Sequence, residues 1–255
     1  MSHSNPTDSV LLADRTWTEV ETALESGTDT AIVPVGSLEQ HGPHLPLATD
    51  SLIGEELAAR IARRLGDALV APVIRPGCSG HHMAFPGTIT VSASTLIEVL
   101  RSYCESLAEH GFETVALLPS HGGNFAPVNT AAPEIADETE LGVAALADME
   151  RYMDLMNEGM ERAELPPEPV VHAGGTETSA ILAIRPELVR ESAFEPGRDG
   201  PVDTTLLLSR GFESITDNGV LGDPSQSSEA AGEAILETIA DAYAADVRAG
   251  RDAFE

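Results

Sequence analysis

Short apolar runs alternate with helical patterns along this chain, and that alternation limits the possible folds more than any other feature. Thr30 to Val35, Ala68 to Ile74, Glu113 to Leu118 and Gly142 to Ala147 have the length and content of buried strands. Between and around them lie helical patterns. Trp17 to Leu24 is short and closed by Gly27. Ser51 to Leu65 gathers Leu52, Leu57, Ile61 and Leu65 near one face and places Arg60, Arg63 and Arg64 late, where they suit the helix dipole. A long helix capped by Ser92 or Ser94 runs to about Gly111. Further helices are expected over Ala126 to Glu138, residues 150 to 162, the segment after Gly174-Gly175, and Ser227 to Ala249. Thr88 to Val91 reads as one more short strand, and residues 195 to 225 as irregular. Strands alternating with helices predict an α/β fold, three layers deep (α/β/α), with a mostly parallel central sheet. The 255 residues suit one domain, 1–255, with a sizeable core and no linker or repeat.

The loops after the strands hold the chemistry. Val33 to Asp50 reads VPVGSLEQHGPHLPLATD and offers Glu39, His41, His44, Asp50 and, more weakly, Gln40. Glu39 and His41 are two apart, so an extended segment points both the same way. Asp50 is placed to cap the helix that follows. The loop Arg75 to Gly87, RPGCSGHHMAFPG, carries Ser79 and His82. The loop Pro119 to Phe125, PSHGGNF, carries His121, then Gly122 and Gly123, which permit close backbone approach, then Asn124, which can bind a ligand or the loop itself. A fourth cluster, HAGGTETS, holds His172 and Glu177. Each motif alone also fits an ordinary polar turn or a helix-end carboxylate. In a parallel sheet, however, the first three loops converge on one edge.

Glu39, His41, Asp50, His121 and Glu177 together make a carboxylate–imidazole set that suits Zn, Mn or Fe(II), with no cysteine nearby for a thiolate site. Such a set can hold two divalent ions roughly 3.5–4 Å apart with one carboxylate bridging. His172, outside that set, would move the proton.

Composition narrows the partners. The net charge is −28, from 42 acidic against 14 basic residues, all of them Arg. Such a surface repels nucleic acid and anionic membranes, and its even spread suits a salt-adapted protein from a halophile. Met1 to Ser9 is too polar for a signal peptide, no apolar run approaches a membrane span, and two cysteines make no disulfide framework; these features suit the cytoplasm.

The motifs GSLEQHGPHLPLATD, FPGTIT, SHGGN, HAGGTETS and GVLGDP, in this order, resemble the creatininase (creatinine amidohydrolase) family over roughly Trp17 to Val247. The resemblance implies a binuclear metal site, hydrolysis of an amide C–N bond in a small molecule, and a homo-oligomer, commonly a hexamer. By position, Glu39, Asp50 and His121 match the ligands of one metal. His41 and Asp50 match those of the other, His172 matches the catalytic histidine, and Ser79 falls in the substrate-side loop together with His82. Creatinine-hydrolysing members carry a second-metal Glu two residues after the histidine that matches His121, where this chain has Gly123. Glu177, or water, is expected to fill that place, and Gly122, Gly123 and Asn124 to border the substrate. The HGGN form is more like members acting on other amides: a formamide deformylase of archaeal flavin and deazaflavin synthesis, or a peptidase of the mycofactocin precursor. A metal-binding structural protein and a hydrolase of a sugar-ring ketone are the competing classes.

Overall fold

The computed structural model describes residues 9–169 and 171–254; the opening stretch read above as too polar for a leader lies, up to residue 8, outside them. Four parallel strands form the sheet: β1 (Thr30–Val35), β2 (Ala68–Val70), β3 (Thr114–Pro119) and β4 (Gly142–Ala145). Their order is β2-β1-β3-β4, with Thr30 opposite both Ala68 and Thr114, and Thr114 opposite Gly142. The first three strands are buried along their whole length, which is why they read as unbroken apolar runs rather than alternating ones.

Helices cover both faces. On one lie α2 (Thr49–Leu65), α5 (Met149–Arg162), α6 (Gly175–Ile184) and α8 (Glu229–Phe254); on the other, α3 (Ala93–Glu109) packs with α4 (Phe125–Thr139). The expected three-layer architecture is therefore present. Outside it stand α1 (Trp17–Glu25) and α7 (Thr204–Arg210). At Gly232, α8 approaches α6 so closely that a Cβ would overlap the Ser179 carbonyl. Arginines stitch α8 to α2: Arg60 reaches Glu233 and Glu237, and Arg64 reaches Glu237 and Asp241. Arg251 pairs with Asp67 beyond the end of α2. Among the described residues no helix is long and apolar enough to cross a membrane.

Four expectations need correction. The second strand stops at Val70, because Pro72 lacks an N–H for the ladder, and the pairing reappears only as one bridge from Ile74 to Val35. Thr88 to Val91 forms no strand; Ile89 meets Leu38 in a single antiparallel bridge, and Val91 turns to the Gly77 carbonyl. Within 195–225 the seven-residue helix α7 forms, with Asp203 accepting from the Leu206 N–H. Asp50 does not cap α2: the N-cap is Ala48, with no side-chain cap bond. Asp50 lies inside the first turn, its carboxylate drawn to neighbouring imidazoles.

The order β2-β1-β3-β4 reverses direction between β1 and β3. A crevice opens outside the carboxyl ends of strands at such a point, and ligands settle there. The loops that leave β1 and β3 carry Glu39, His41 and His121, and the first turn of α2, where the first loop ends, carries Asp50.

Candidate metal centre

Seven side chains meet at that crevice. Glu39 Oε1 lies 3.1 Å from His121 Nδ1, 3.2 Å from His82 Nε2 and 4.0 Å from His172 Nδ1. Asp50 stands between two imidazoles, with Oδ1 3.3 Å from His41 Nε2 and Oδ2 3.6 Å from His121 Nδ1. Glu177 Oε2 lies 3.6 Å from the same His41 nitrogen. Three of these groupings are tight enough to hold an ion: Glu39–Asp50–His121, His41–His172–Glu177 and Glu39–His82–His172.

Local structure places each group. Ser37 Oγ donates to Asp50 Oδ2 at 2.9 Å, and Ser51 Oγ ties the start of α2 to the Ser37 carbonyl. His121 follows β3 directly. The turn from His172 to Gly174 holds Ala173 at φ 55°, in the left-handed region, where its N–H donates to Glu177 Oε2 at 2.6 Å. Glu168 fixes that turn from outside: its two carboxylate oxygens accept from the N–H groups of Gly175 and Thr176, at 2.8 and 2.9 Å, at the start of α6.

The cluster is shaped for cations. Glu39 is 1% exposed, yet neither of its oxygens makes a hydrogen bond, and His41 Nε2 is equally buried and unpartnered. A buried carboxylate left so is costly unless a cation faces it. Burial disfavours the charged form of His41, but Asp50 and Glu177 outweigh it and push its pKa up to about 10. Burial likewise opposes charge on His121, while Glu39 above all lifts it to about 9. Burial alone would raise Glu39; the positive charge of His121 holds it well below the usual carboxylate range instead. Glu177 is raised to about 7 by burial, partly offset by His41. His82 falls to about 2, and His172 well below its ordinary value, each first through burial and then through neighbouring imidazoles. The residues therefore fit a divalent cation, above all at the groupings Glu39–Asp50–His121 and His41–His172–Glu177.

The remaining expected residues are sorted by their contacts. Ser79 Oγ lies 3.4 Å from His121 Nε2, inside the site. His82 is part of the carboxylate–imidazole cluster rather than its border. Asn124 is turned from the crevice: its oxygen accepts from the Cys78 N–H, and its nitrogen donates to the carbonyls of Val35 and Gly36. Of its two readings, it has the loop-binding one. Gly122 is exposed, whereas at Gly123 a Cβ would overlap the Cys78 carbonyl oxygen and sit 2.6 Å from His121 Nε2. His44 leaves the cluster for Thr178 Oγ1, at 3.0 Å. Trp17, the lone tryptophan, is 74% exposed on α1 and takes no part.

Glu168 and Phe212 were not found from sequence. Phe212 stacks on His82, with ring centroids 4.1 Å apart, and also packs on His172. Its only sequence signal was a lone aromatic in an irregular stretch. Glu168 sits in an acidic, proline-rich run that reads as solvated loop.

A doubly wound parallel sheet with buried carboxylates and imidazoles at its switch point defines a metal-dependent hydrolase. The family model described as creatinine amidohydrolase matches residues 13–247. The chain belongs to the creatininase family, hydrolases that act on amide C–N bonds. It is 33% identical to the mycofactocin precursor peptide peptidase of Mycolicibacterium smegmatis over 86% of this chain and 84% of that protein. It is 29% identical to the creatinine amidohydrolase of Pseudomonas putida, over 94% and 96%. Two solved creatininases, a manganese form and a mutant of Zn–Zn type, superpose with TM-scores of 0.77 at 29% identity, covering 94% of this chain and 98% of theirs.

Proposed function

We propose that this chain is a binuclear amidohydrolase whose second ion is held by Glu177 in place of a carboxylate at position 123. The observation that carries this is the pair of contacts to His41 Nε2, 3.3 Å from Asp50 and 3.6 Å from Glu177, beside a backbone at Gly123 with no room for a side chain. Zinc, manganese or iron(II) so held supplies a nucleophile from water and polarises the scissile carbonyl. Asp50, with one oxygen facing His41 and the other His121, is the carboxylate that would serve both ions. Ser37 holds one oxygen of that bridge. His172, buried beside Glu39 with its ring against Phe212, holds and moves the proton that the leaving nitrogen needs. Phe212 and the loop carrying Ser79 keep water out.

The substrate is an amide other than creatinine, because the ligand that marks creatinine-hydrolysing members is absent; we rank a small cyclic amide or a formamide first. A peptide is the second reading, favoured by the likeness to the mycofactocin precursor peptidase. Metal analysis and hydrolysis of a panel of creatinine, cyclic amides, formamides and short peptides test it. Creatinine as the best substrate overturns the reading, as does a fully active protein with one ion per chain. The expected setting is the cytoplasm, in a homo-oligomer, a hexamer by resemblance. The net charge of −28 supports salt adaptation, checked by a melting point that rises with salt.

A further inference from the structure

Four buried imidazoles border the carboxylates, and contacts alone would allow all four to bind metal. We propose that Gln40 decides which of them can: its amide holds His82 and His172 in the tautomers that cannot ligate, leaving His41 and His121 as the imidazole ligands. The inference rests on the metal-site reading above for the word ligand; the tautomers themselves do not need the metal.

The orientation of the Gln40 amide is fixed by backbone. The Gly42 N–H donates to its Oε1 at 3.0 Å, and its Nε2 donates to the Gly219 carbonyl at 3.2 Å. Turning the amide over would set donor against donor and acceptor against acceptor. Its Nε2 therefore faces His82 Nδ1 at 3.0 Å and His172 Nε2 at 2.9 Å. An amide nitrogen donates two hydrogens and accepts none. One hydrogen goes to Gly219, and the other lies between the two imidazoles. An N–H on either ring nitrogen would meet it head on, so both present lone pairs. A neutral imidazole carries its one hydrogen on the other nitrogen. For His82 that is Nε2, and for His172 it is Nδ1, the two nitrogens that face Glu39 Oε1. A nitrogen carrying hydrogen cannot ligate. The grouping Glu39–His82–His172 is thereby closed to an ion, and His172 meets the substrate as a proton donor.

The other two histidines have opposite partners. His41 Nδ1 lies 3.2 Å from the Glu39 carbonyl, and His121 Nε2 lies 3.2 Å from the Cys78 carbonyl. A carbonyl only accepts, so a hydrogen sits on that nitrogen in either charge state, and the far one, facing the carboxylates, is the nitrogen that can yield its place to a metal. This is the support that ligating histidines ordinarily have. Gln40 is thus a positioning residue: it touches neither the ions nor the reacting atoms.

Long-range ¹H–¹⁵N NMR of histidine-labelled protein, metal-free and zinc-loaded, reads each tautomer directly. In the wild type, His82 is expected to carry hydrogen on Nε2 and His172 on Nδ1 in both states, with zinc shifting only His41 and His121. Gln40→Glu replaces the donor by an acceptor, so the protonated and unprotonated nitrogen signals of His82 and His172 exchange places. Gln40→Leu, which offers neither, releases both rings to mixed tautomers and serves if the charged variant does not fold. Opposite tautomers in the wild type, or tautomers unmoved in both variants, overturn the assignment to Gln40. A zinc shift on His82 or His172 in the wild type overturns the ligand selection. Zinc that shifts no histidine at all sinks the metal-site reading and the ligand selection with it, while the tautomer pattern still reports on Gln40.

Discussion

Adjacent glycines in the SHGGN loop provide a sharp test of how the site is held. At Gly122 a Cβ meets nothing within 4 Å, so Gly122→Ala is expected to leave stability and metal binding alone. At Gly123 the same methyl overlaps the Cys78 carbonyl oxygen and comes within 2.6 Å of His121 Nε2. Neither obstacle is a flexible side-chain end. The Cys78 backbone is pinned through its N–H to Asn124 Oδ1 at 2.9 Å, and the ring nitrogen faces that same Cys78 carbonyl at 3.2 Å. The methyl must push the 75–87 loop outward. Overpacking of this kind costs about 1–3 kcal/mol. For a chain of this length that lowers Tm by roughly 2–12 °C, at about 2–4 °C per kcal/mol. Because the shift pulls the carbonyl from His121, zinc affinity should also fall, by roughly 10–100-fold, the usual effect of losing a partner behind a metal ligand. Thermal melts of metal-free protein read the first effect and competition against a chromophoric chelator the second. A Gly123→Ala protein that matches Gly122→Ala in both would refute the close approach, and with it the reason no carboxylate ligand stands at position 123.

Asp50→Ala should lose both ions and nearly all activity, since each ion loses a charged ligand; metal analysis showing two ions retained would remove the bridging role. Glu177→Gln should lower the metal content from two towards one, and unchanged content with unchanged activity would leave Glu177 a helix-end charge. His172→Ala should keep its metals and Tm while kcat drops about 10²–10⁴-fold; metal loss in that variant would make His172 a ligand instead. Glu233 is held below its ordinary value of 4.5, mainly by the hydrogen bond from Arg60. Its contribution is therefore present above that value and fades as pH falls through the lowered one. Glu233→Gln should flatten the acid limb of a stability–pH curve and cost at most about 1 kcal/mol near neutrality; an unchanged acid limb would count against the pair.

The strand-to-loop-to-helix passage from Val33 to Leu65 was readable because its signals are local: a continuous apolar run, Gly and Pro, then helical periodicity. β1 lies where the apolar run put it, and α2 starts two residues before Ser51. Asp50 was legible as a site residue from its place beside His41, but that it would not also cap the helix was not, because the start of α2 at Thr49 is set by the fold around it. Gln40 is the clearer case. Its role needs His82 and His172, 42 and 132 residues away, and the Gly219 carbonyl, 179 away. Composition says nothing about such a meeting. Glu168 escaped for the same reason, since a carboxylate seven residues before a helix announces no cap.

The arginine stitches between α2 and α8 give dissolved salt two opposed effects on this molecule. Ions weaken the stitches, whose carboxylates at Glu233, Glu237 and Asp241 are 47–68% exposed and within reach of screening. The same ions quiet the mutual repulsion of the remaining acidic surface, which the 14 arginines offset only in part. With three acidic residues to each basic one, 42 against 14, the repulsion involves more of the surface than the stitches do. Removing an arginine partner such as Glu237 deletes two short-range attractions, to Arg60 and Arg64, and one unit of long-range repulsion together. Its sign in a stability measurement should therefore reverse between dilute buffer, where shedding charge is favourable, and concentrated brine, where the surviving contact geometry matters more than the field.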